Sequence, residues 1–443
     1  MIAVIMAGGK GTRISSITKD EIPKPMVKVL GKPIIEWQID RIKENEITDV
    51  IIVVGHLGHK IIEHFGDGKK FGMNIKYVIE KESLGTAGSF YYLKDYLGQE
   101  DYFLLVYGDV IFDIDIKRME RYHIEKHSIA TLFAHPNSHP YDSDLVITDE
   151  NKKIIRFDLK SSIREYWYDN CVNAGFYIVD KSIVESVNEP RKIDFEKDIL
   201  RNLADSGKDI YAYISPEFIK DVGTIDRIEK VVLEIEKGVV KQRNLRNNQK
   251  CIFIDRDGTI NKHKGLVYKE DDFELEEFTI DAIKLINESG YLCIVITNQP
   301  VVARGLCDIK DVETIHNKMK TILGRAGVYV DDIVFCPHHP DRGYPEENKL
   351  YKIDCTCRKP NIGMIKDCER KFNIALTESW MIGDTTIDIK TGNNAGMKTV
   401  LVLTGEAGGD KKYDVQPDIT CNNLLESVQA ILKEDSAWTT KIK

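Results

Sequence analysis

The sequence predicts two α/β domains, each with a sheet of parallel strands covered by helices. Apolar runs of strand length alternate with segments of helical period, which is the pattern of such sheets. The pattern breaks off near the middle of the 443 residues and then starts again. Because one domain usually has about 150 residues, a chain of this length favours two or three cores.

The composition indicates a globular protein that holds its ligands in local sites. Hydrophobic residues make up 42% of the chain and charged residues 30%, which excludes extensive disorder. The 62 basic and 71 acidic residues give a net charge of −9, which disfavours non-specific binding to nucleic acid or an anionic membrane. No apolar run reaches the roughly 18 residues of a membrane span, and no signal peptide is predicted. A cytoplasmic protein is therefore expected.

The first set of predicted strands and helices lies in the amino-terminal half of the chain and ends in a helix that is followed by a basic stretch. Ile35, Ile39 and Ile42 mark the apolar face of a helix that starts near Pro33. A second helix is predicted over Thr224–Lys237. The predicted strands of this set are Ile2–Ala7, Val50–Val54, Ile75–Ile79 and Phe103–Tyr107.

Residues 237–250 are predicted to link the two domains. They include five basic residues and no acidic one, and they lack the aromatic residues that would favour nucleic-acid binding. The predicted domains are 1–236 and 251–435, with 436–443 as a tail. The strands predicted for the second domain are Cys251–Ile254, Leu292–Thr297, Ile333–Phe335, Trp380–Gly383 and Thr399–Leu403.

A glycine-rich turn follows the first strand directly. Residues 8–13 read GGKGTR, and such a turn lets backbone N–H groups approach a polyphosphate closely. The dinucleotide fingerprint GxGxxG and the P-loop GxxxxGK[ST] are both absent. The turn therefore predicts phosphate binding by some other type of site.

Six motifs in order turn this pattern into a family resemblance. GGKGTR, PKPM, LGTAGS, YGD, VNAG and DVGT occur between residues 8 and 224. They resemble the sugar-1-phosphate nucleotidylyltransferases, most closely the branch of heptose 1-phosphate and mannose 1-phosphate guanylyltransferases. The resemblance implies a GT-A-like mixed sheet and the use of GTP. It also implies that a sugar 1-phosphate attacks the nucleotide α-phosphorus and releases pyrophosphate.

The same resemblance implies roles for individual residues. Arg13 would hold the leaving pyrophosphate, and Lys24 would stabilise charge on the α-phosphate. Asp109 and Asp221 would bind Mg²⁺. The residues implied to bind the nucleotide are Gly8, Gly9, Gly11, Thr12, Glu80 and Gly85. Those implied to bind the sugar phosphate are Lys160, Asn173 and Glu196.

A second group of motifs begins at the strand Cys251–Ile254. DRDGT follows this strand at 255–259, and Thr297-Asn298, RKP at 358–360 and Gly383-Asp384 come later. Two carboxylates two residues apart can share a metal ion, but an EF-hand fails because its sixth position is Ile260 rather than Gly. Together the motifs resemble phosphatases of the haloacid dehalogenase (HAD) superfamily.

This resemblance implies catalysis through an aspartyl phosphate. Asp255 would be the nucleophile, and Asp257 would protonate the leaving alkoxide and then activate water. Mg²⁺ would be held by Asp255, Asp384 and the carbonyl of Asp257. The residues implied to bind the substrate are Thr297, Asn298, Arg304, Arg358 and Lys359.

Four further residues predict a structural zinc site. Cys336, His338, Cys355 and Cys357 would fill a tetrahedral Zn²⁺ shell and leave no open position. In a cytosolic chain such a cluster favours a metal over disulfides. CPHHP followed by CTCRKP is similar to a loop of the histidinol phosphatase and heptose-bisphosphate 7-phosphatase branch.

Together the halves predict a bifunctional enzyme of GDP-heptose synthesis. A phosphatase would convert D-glycero-D-manno-heptose 1,7-bisphosphate to the 1-phosphate, which a guanylyltransferase would then activate. The expected partners are sugar phosphates and a nucleotide, without nucleic acid or membrane, and a homo-oligomer is allowed. One alternative is a mannose-1-phosphate or other hexose-1-phosphate nucleotidylyltransferase fused to a histidinol-type phosphatase. Another is a scaffold with an inactive transferase half, which the presence of Lys24, Asp109 and Asp221 disfavours.

Overall fold

A computed structural model describes residues 1–9 and 18–435. The chain forms two compact α/β units, which confirms the predicted fold class. The first unit comprises 1–135, 144–159 and 171–244, and the second comprises 136–143, 160–170 and the chain from 245 onward. The division at 244–245 falls within the stretch predicted as a linker. Across the described residues, no helix is long and apolar enough to cross a bilayer.

The first unit is built on a nine-stranded mixed sheet. Its strands and those of two small hairpins or ribbons are β1 (Ile2–Ala7), β2 (Lys28–Val29), β3 (Lys32–Pro33), β4 (Asp49–Val54), β5 (Asn74–Ile79), β6 (Tyr102–Tyr107), β7 (Val110–Asp113), β8 (Ala130–His135), β9 (Leu145–Thr148), β10 (Ile154–Asp158), β11 (Val172–Asp180), β12 (Ile210–Ile214) and β13 (Phe218–Asp221). The main order is β10-β9-β11-β6-β1-β4-β5, and β8 joins β11 to β12. β1 is central and parallel to β4 and β6, so their carboxyl ends lie at one edge. β7 and β13 form a separate antiparallel ribbon.

The described residues of the first unit form eight α-helices. They are α1 (Ile34–Glu44), α2 (Gly58–Phe65), α3 (Phe90–Leu93), α4 (Ile116–Glu125), α5 (Lys181–Glu185), α6 (Arg201–Asp205), α7 (Ile225–Glu236) and α8 (Val239–Gln242). Ile35, Ile39 and Ile42 of α1 are fully buried, as the pattern predicts. The side chain of Thr224 caps α7. α8 is a short helix within the predicted linker.

The second unit has a six-stranded, fully parallel sheet. Its strands are β14 (Cys251–Ile254), β15 (Leu292–Asn298), β16 (Asp332–Cys336), β17 (Trp380–Gly383), β18 (Lys398–Val402) and β19 (Ile419–Cys421), in the order β16-β15-β14-β17-β18-β19. Its helices are α9 (Thr279–Ser289), α10 (Ile309–Arg325), α11 (Gly363–Phe372), α12 (Thr386–Ala395) and α13 (Leu424–Glu434). Because all six strands are parallel, the polar residues after β14, β15 and β17 meet at one edge.

Two short segments of the amino-terminal half belong to the second unit. The backbone N–H of Tyr168 donates to Oγ1 of Thr321 in α10 (3.0 Å), and this hydroxyl donates to the carbonyl of Tyr168 (3.2 Å). Asp169 forms an ion pair with Lys320 (2.7 Å). Tyr168 and Asp169 therefore attach this segment to α10.

Candidate active sites

The first site is formed where β1, β4 and β5 end. Gly8 follows β1, and a side chain at this position would overlap a carboxylate oxygen of Glu80, which follows β5. A larger residue at position 8 would therefore require the side chain of Glu80 to shift. Gly9 is exposed. The predicted residues Gly11, Thr12 and Arg13 lie outside the described part of the chain.

Glu80 is a buried carboxylate with an unsatisfied oxygen. Its residue exposure is 7%, and its Oε1 accepts no hydrogen bond from the described residues. Burial raises the pKa of Glu80 to about 7, although a backbone N–H of Leu84 opposes this shift. Because buried polar atoms are almost always paired, Oε1 lies where a ligand could donate to it.

Lys24 and the two predicted Mg²⁺ carboxylates meet near the end of β6. Lys24 is buried in a short 3₁₀ turn and forms an ion pair with Asp109, which follows β6. The β7–β13 ribbon places Asp221 beside Asp109, since the N–H of Val222 donates to the carbonyl of Asp109 (2.8 Å). Asp221 pairs with Arg227 of α7. The arrangement brings two carboxylates and two cations together near the end of β6.

A second group in this unit joins two of the three predicted sugar-phosphate residues. Tyr177 of β11 donates to Glu196 (2.5 Å) and accepts from Asn173 (2.8 Å). Burial raises the pKa of Glu196. Lys160, the third of these residues, is exposed and belongs to the second unit.

Gly85 lies against the chain segment that precedes Glu196. It has a positive φ of 79° and forms a bridge with Ile193. A side chain at position 85 would overlap the carbonyl of Ile193. The Thr86 hydroxyl then accepts from the N–H of Phe195 (2.7 Å), which precedes Glu196. The glycine is therefore required by a close approach of two backbones.

The second site is centred on a buried lysine between carboxylates. Nζ of Lys359 donates to Asp255 after β14 (2.7 Å) and to Asp388 of α12 (2.6 Å). Burial opposes the charge of Lys359, but the two carboxylates together raise its pKa. Asn298 at the end of β15 holds the backbone of Lys359 from both sides, at 3.0 and 3.1 Å. Lys359 is thus fixed beside the predicted nucleophile.

Three buried carboxylates form a candidate cation site. Oxygens of Asp255, Asp384 and Asp388 lie within 4.8 Å of one another. Burial raises the pKa of Asp255 to about 7, and burial and the other two carboxylates raise that of Asp384 to about 8. Oδ2 of Asp384 accepts from the N–H of Glu406 (2.8 Å), whereas Oδ1 has no partner among the described residues. A divalent cation fits this crowded, partly unsatisfied oxygen set.

The side-chain carboxylate of Asp257 accepts hydrogen bonds from three other side chains. Arg256 forms an ion pair with it (2.8 Å). Asn261 donates to Oδ1 (3.0 Å) and Gln299 to Oδ2 (2.7 Å). The same Gln299 amide donates to Oγ1 of the buried Thr297 (3.0 Å). Thr297 and Asp257 are therefore linked through one side chain.

The four predicted zinc ligands come together in a loop after β16. Each offers one atom within 4.8 Å of the others. The sulfurs of Cys336, Cys355 and Cys357 are 3.2–3.6 Å apart, and Nδ1 of His338 lies 3.3 Å from the sulfur of Cys357. A tetrahedron with metal–sulfur bonds of about 2.3 Å has edges close to these spacings. The cluster can hold a metal ion with protein ligands alone.

A group of cations lies beside this loop. Arg358 donates to the carbonyl of His338 (3.0 Å), and burial lowers its pKa, with a further contribution from Arg304. Arg304 and the buried Lys352 stack on the ring of Tyr344 at 4.8 and 4.7 Å. Nε of Arg304 has no hydrogen-bond partner among the described residues. The group is suited to an anion.

Several residues of both sites received no role from the sequence. Asp388 belongs to the same motif as Gly383-Asp384 in the resemblance to HAD phosphatases, but no ligand role was predicted for it. Gln299 directly follows Thr297-Asn298, which could have indicated it as well. Arg227 and Lys352 also received no role, although their partners Asp221 and Tyr344 are close to them in the sequence.

Comparisons with known proteins find separate matches for the two halves of the chain. The family profile described as Nucleotidyl transferase matches residues 2–238, more than half of the chain, and the profile described as HAD-hydrolase-like matches 356–427. A UTP–glucose-1-phosphate uridylyltransferase from Synechocystis sp. is 31% identical over 48% of this chain. The match spans only 57% of the length of that relative.

Two relatives from Photorhabdus laumondii match the second half. They are a D-glycero-beta-D-manno-heptose-1,7-bisphosphate 7-phosphatase, 41% identical, and its alpha counterpart, 40% identical. The matches cover 41% and 40% of this chain and 93% and 94% of the two phosphatases. The chain therefore belongs to the nucleotidyl transferase family through its amino-terminal half and to the HAD-like family of these phosphatases through its carboxyl-terminal half, and it is an enzyme with a transferase part and a hydrolase part.

Proposed function

We propose that the chain catalyses two consecutive steps of GDP-D-glycero-α-D-manno-heptose synthesis. The second half would remove the 7-phosphate of D-glycero-D-manno-heptose 1,7-bisphosphate, and the first half would transfer GMP from GTP to the resulting 1-phosphate. The observation that carries the proposal is the fusion itself. Relatives of the second half are named as 7-phosphatases, and a retained 1-phosphate is the nucleophile that a nucleotidyl transferase requires.

In the phosphatase reaction, a carboxylate oxygen of Asp255 attacks the phosphorus and the bond to the sugar oxygen breaks. Asp257 gives its proton to the leaving alkoxide. It then takes a proton from the water that attacks the aspartyl phosphate, which frees Asp255 and inorganic phosphate. Thr297, Asn298 and Lys359 hold the phosphoryl oxygens during both steps.

Mg²⁺ fits the oxygens of Asp255, Asp384 and Asp388 and, when bound, offsets the negative charge of the nucleophile and the phosphate. Zn²⁺ fits the Cys336, His338, Cys355 and Cys357 cluster, where it stabilises the loop that precedes Arg358 and Lys359. We assign it no catalytic role, because the four protein ligands leave no open position.

In the transferase reaction, an oxygen of the sugar 1-phosphate attacks the α-phosphorus in line and pyrophosphate leaves. Lys24 stabilises charge on the α-phosphate, and Asp109 and Asp221 would hold Mg²⁺, which neutralises the polyphosphate. Arg13, which the family resemblance assigns to the pyrophosphate, lies outside the described residues. Asn173 and Glu196, held by Tyr177, would bind the sugar.

GTP is the nucleotide that Glu80 favours. A carboxylate accepts from the N1–H and N2–H₂ groups of guanine together, whereas uracil and thymine offer a single N3–H between two carbonyls. The unsatisfied Oε1 of Glu80 supplies the required acceptor at the edge of the nucleotide site. Repulsion from the pyrimidine carbonyls would add to the preference.

Arg304, Arg358 and Lys352 would bind the phosphate at C1 while the phosphate at C7 reacts. Their charges lie next to the loop that holds Lys359, and Arg304 has a free donor. Charge-assisted hydrogen bonds to this distal phosphate would orient the bisphosphate and protect C1 from hydrolysis. The proposal also includes domains of 1–236 and 251–435, joined by a linker at 237–250. It further includes a cytoplasmic location, where GTP is supplied.

One alternative is supported by a specific observation. The uridylyltransferase relative is 31% identical, so a hexose 1-phosphate and UTP are competing substrates for the first half. A comparison of each nucleoside triphosphate with heptose, mannose and glucose 1-phosphates distinguishes the two.

The proposal is tested by separating the two reactions. Asp255→Asn should abolish phosphate release from heptose 1,7-bisphosphate and retain GMP transfer to heptose 1-phosphate. Asp109→Asn should do the reverse, and Asp95→Asn, an exposed control, should retain both. If either active-site change silenced both reactions in a folded protein, the assignment of two independent sites would be wrong.

A further inference from the structure

The carboxylate of Asp257 is clamped by a buried arginine. Arg256 has 0% exposure and is among the largest fully buried side chains among the described residues. Its Nη2 donates to both carboxylate oxygens of Asp257, at 2.9 and 2.8 Å, and its Nε lies 3.2 Å from Oδ1. Contacts to both oxygens fix the plane of the carboxylate as well as its distance.

The other end of this guanidinium is held by His316 of α10. Nη1 of Arg256 lies 3.2 Å from Nε2 of His316, whose ring packs edge-on against Phe335. Burial and then the charge of Arg256 hold the pKa of His316 well below its usual range, so the ring is neutral and Nε2 accepts. His316 therefore fixes the arginine that fixes Asp257.

We propose that Arg256 and His316 are positioning residues for proton transfer by Asp257. The inference rests on the proposed phosphatase reaction and adds residues that touch neither substrate nor metal. A buried guanidinium is stable only when its donors are paired. Here the guanidinium of Arg256 is paired with Asp257 at one end and with His316 at the other. Gln299 completes the geometry by linking Asp257 to Thr297, which the proposed reaction assigns to the phosphoryl oxygens.

The role predicts a dependence on the leaving group. An alkyl phosphate such as heptose 1,7-bisphosphate releases an alkoxide that needs the proton of Asp257. p-Nitrophenyl phosphate releases a stable phenolate that does not. kcat/KM includes steps only up to formation of the aspartyl phosphate, so the later hydrolysis of that intermediate does not affect the comparison.

Arg256→Met should lower kcat/KM for the bisphosphate by about 10²-fold, at the lower end of the range for general acid catalysis. For p-nitrophenyl phosphate it should fall by less than about tenfold. His316→Leu should show the same selectivity more weakly, and His316→Gln, which keeps an acceptor, should lie nearer the wild type. Glu313→Gln, an exposed change on α10, should leave both substrates unaffected.

Equal losses on both substrates, or no loss on either, in folded variants would overturn the positioning role. If Arg256→Met does not fold, the comparison of His316→Leu with His316→Gln decides by the same criterion. A wild-type enzyme that hydrolyses neither ester would instead refute the proposed phosphatase reaction, so the two failures are distinguishable.

Discussion

Among the buried atoms that have no hydrogen-bond partner in the described residues, three could each contact a different proposed ligand. They are Oε1 of Glu80, Oδ1 of Asp384 and Nε of Arg304. Native proteins pair more than about 90% of such atoms, so each marks a place for a ligand atom. The proposed guanine, divalent cation and distal phosphate each supply the missing partner. The motifs could indicate which residues take part, but not which of their atoms remain free.

Glu80→Gln should change the base preference of the transferase. A neutral amide loses one acceptor for guanine and no longer repels the carbonyls of uracil. We expect kcat/KM for GTP to fall by about 10- to 100-fold, corresponding to roughly 1.5–3 kcal/mol for hydrogen bonds to a charged group. Steady-state rates with GTP and UTP measure this. Glu82→Gln, at an exposed position, is the control, and an unchanged GTP/UTP ratio in Glu80→Gln would contradict the role of Glu80.

The raised pKa of Glu80 predicts a pH dependence of GTP use. Burial raises this pKa from 4.5 to about 7, so the carboxyl gains a proton as pH falls through 7. Protonation removes an acceptor that guanine needs. The value of kcat/KM for GTP should therefore decrease below pH 7, and the decrease should approach about tenfold for each pH unit. Rates between about pH 5.5 and 8 test this, and the decline should be absent in Glu80→Gln. A flat wild-type profile would show that Glu80 does not accept from the base.

Among the elements, the predicted central strands match the structure closely. Each predicted strand ends within one residue of the observed one, because buried parallel strands are continuous apolar runs with polar residues at their ends. No strand between β7 and β13 was predicted. β10 shows one reason: its Ile155 is 51% exposed, so its sequence lacks a clear apolar face. The placement of 160–170 on α10 also has no local signal.

The contact between this segment and α10 should contribute measurably to stability. Thr321→Val removes a buried hydroxyl that pairs with both backbone groups of Tyr168. We expect the free energy of unfolding of the second unit to fall by about 1–3 kcal/mol, because two buried polar groups lose their partner. Denaturant titration of the full chain measures this. Thr314→Val, exposed on the same helix, should change it by less than about 0.5 kcal/mol; equal effects would argue against the contact.

The metal loop should affect the phosphatase through stability. Cys355→Ser removes one of four ligands, so the loop before Arg358 and Lys359 should loosen and phosphatase activity and thermal stability should both fall. GMP transfer should persist. Metal analysis, thermal denaturation and both activities are the measurements. Cys307→Ser, outside the cluster, should retain zinc, and protein purified without chelator that contains no zinc would refute the assignment.

At the scale of the whole molecule, the two proposed reactions follow from the two sets of motifs. These motifs were recognisable because the residues within each one are close in sequence. The residues that orient the motif side chains were not recognisable in this way. Arg256 and His316 are 60 positions apart, and Tyr168 and Thr321 are 153 apart. Only folding brings such pairs together, so the sequence predicts the reactive groups better than the residues that hold them.

The central claim is that the phosphatase prepares the substrate of the transferase. Phosphorus NMR of the full-length protein with heptose 1,7-bisphosphate, GTP and Mg²⁺ tests it most directly. The C7 signal should disappear as inorganic phosphate forms, the C1 signal should persist, and the signals of GDP-heptose and pyrophosphate should then follow. A main product that keeps its phosphate at C7, with C1 freed, would contradict the account, because the transferase would then have no nucleophile.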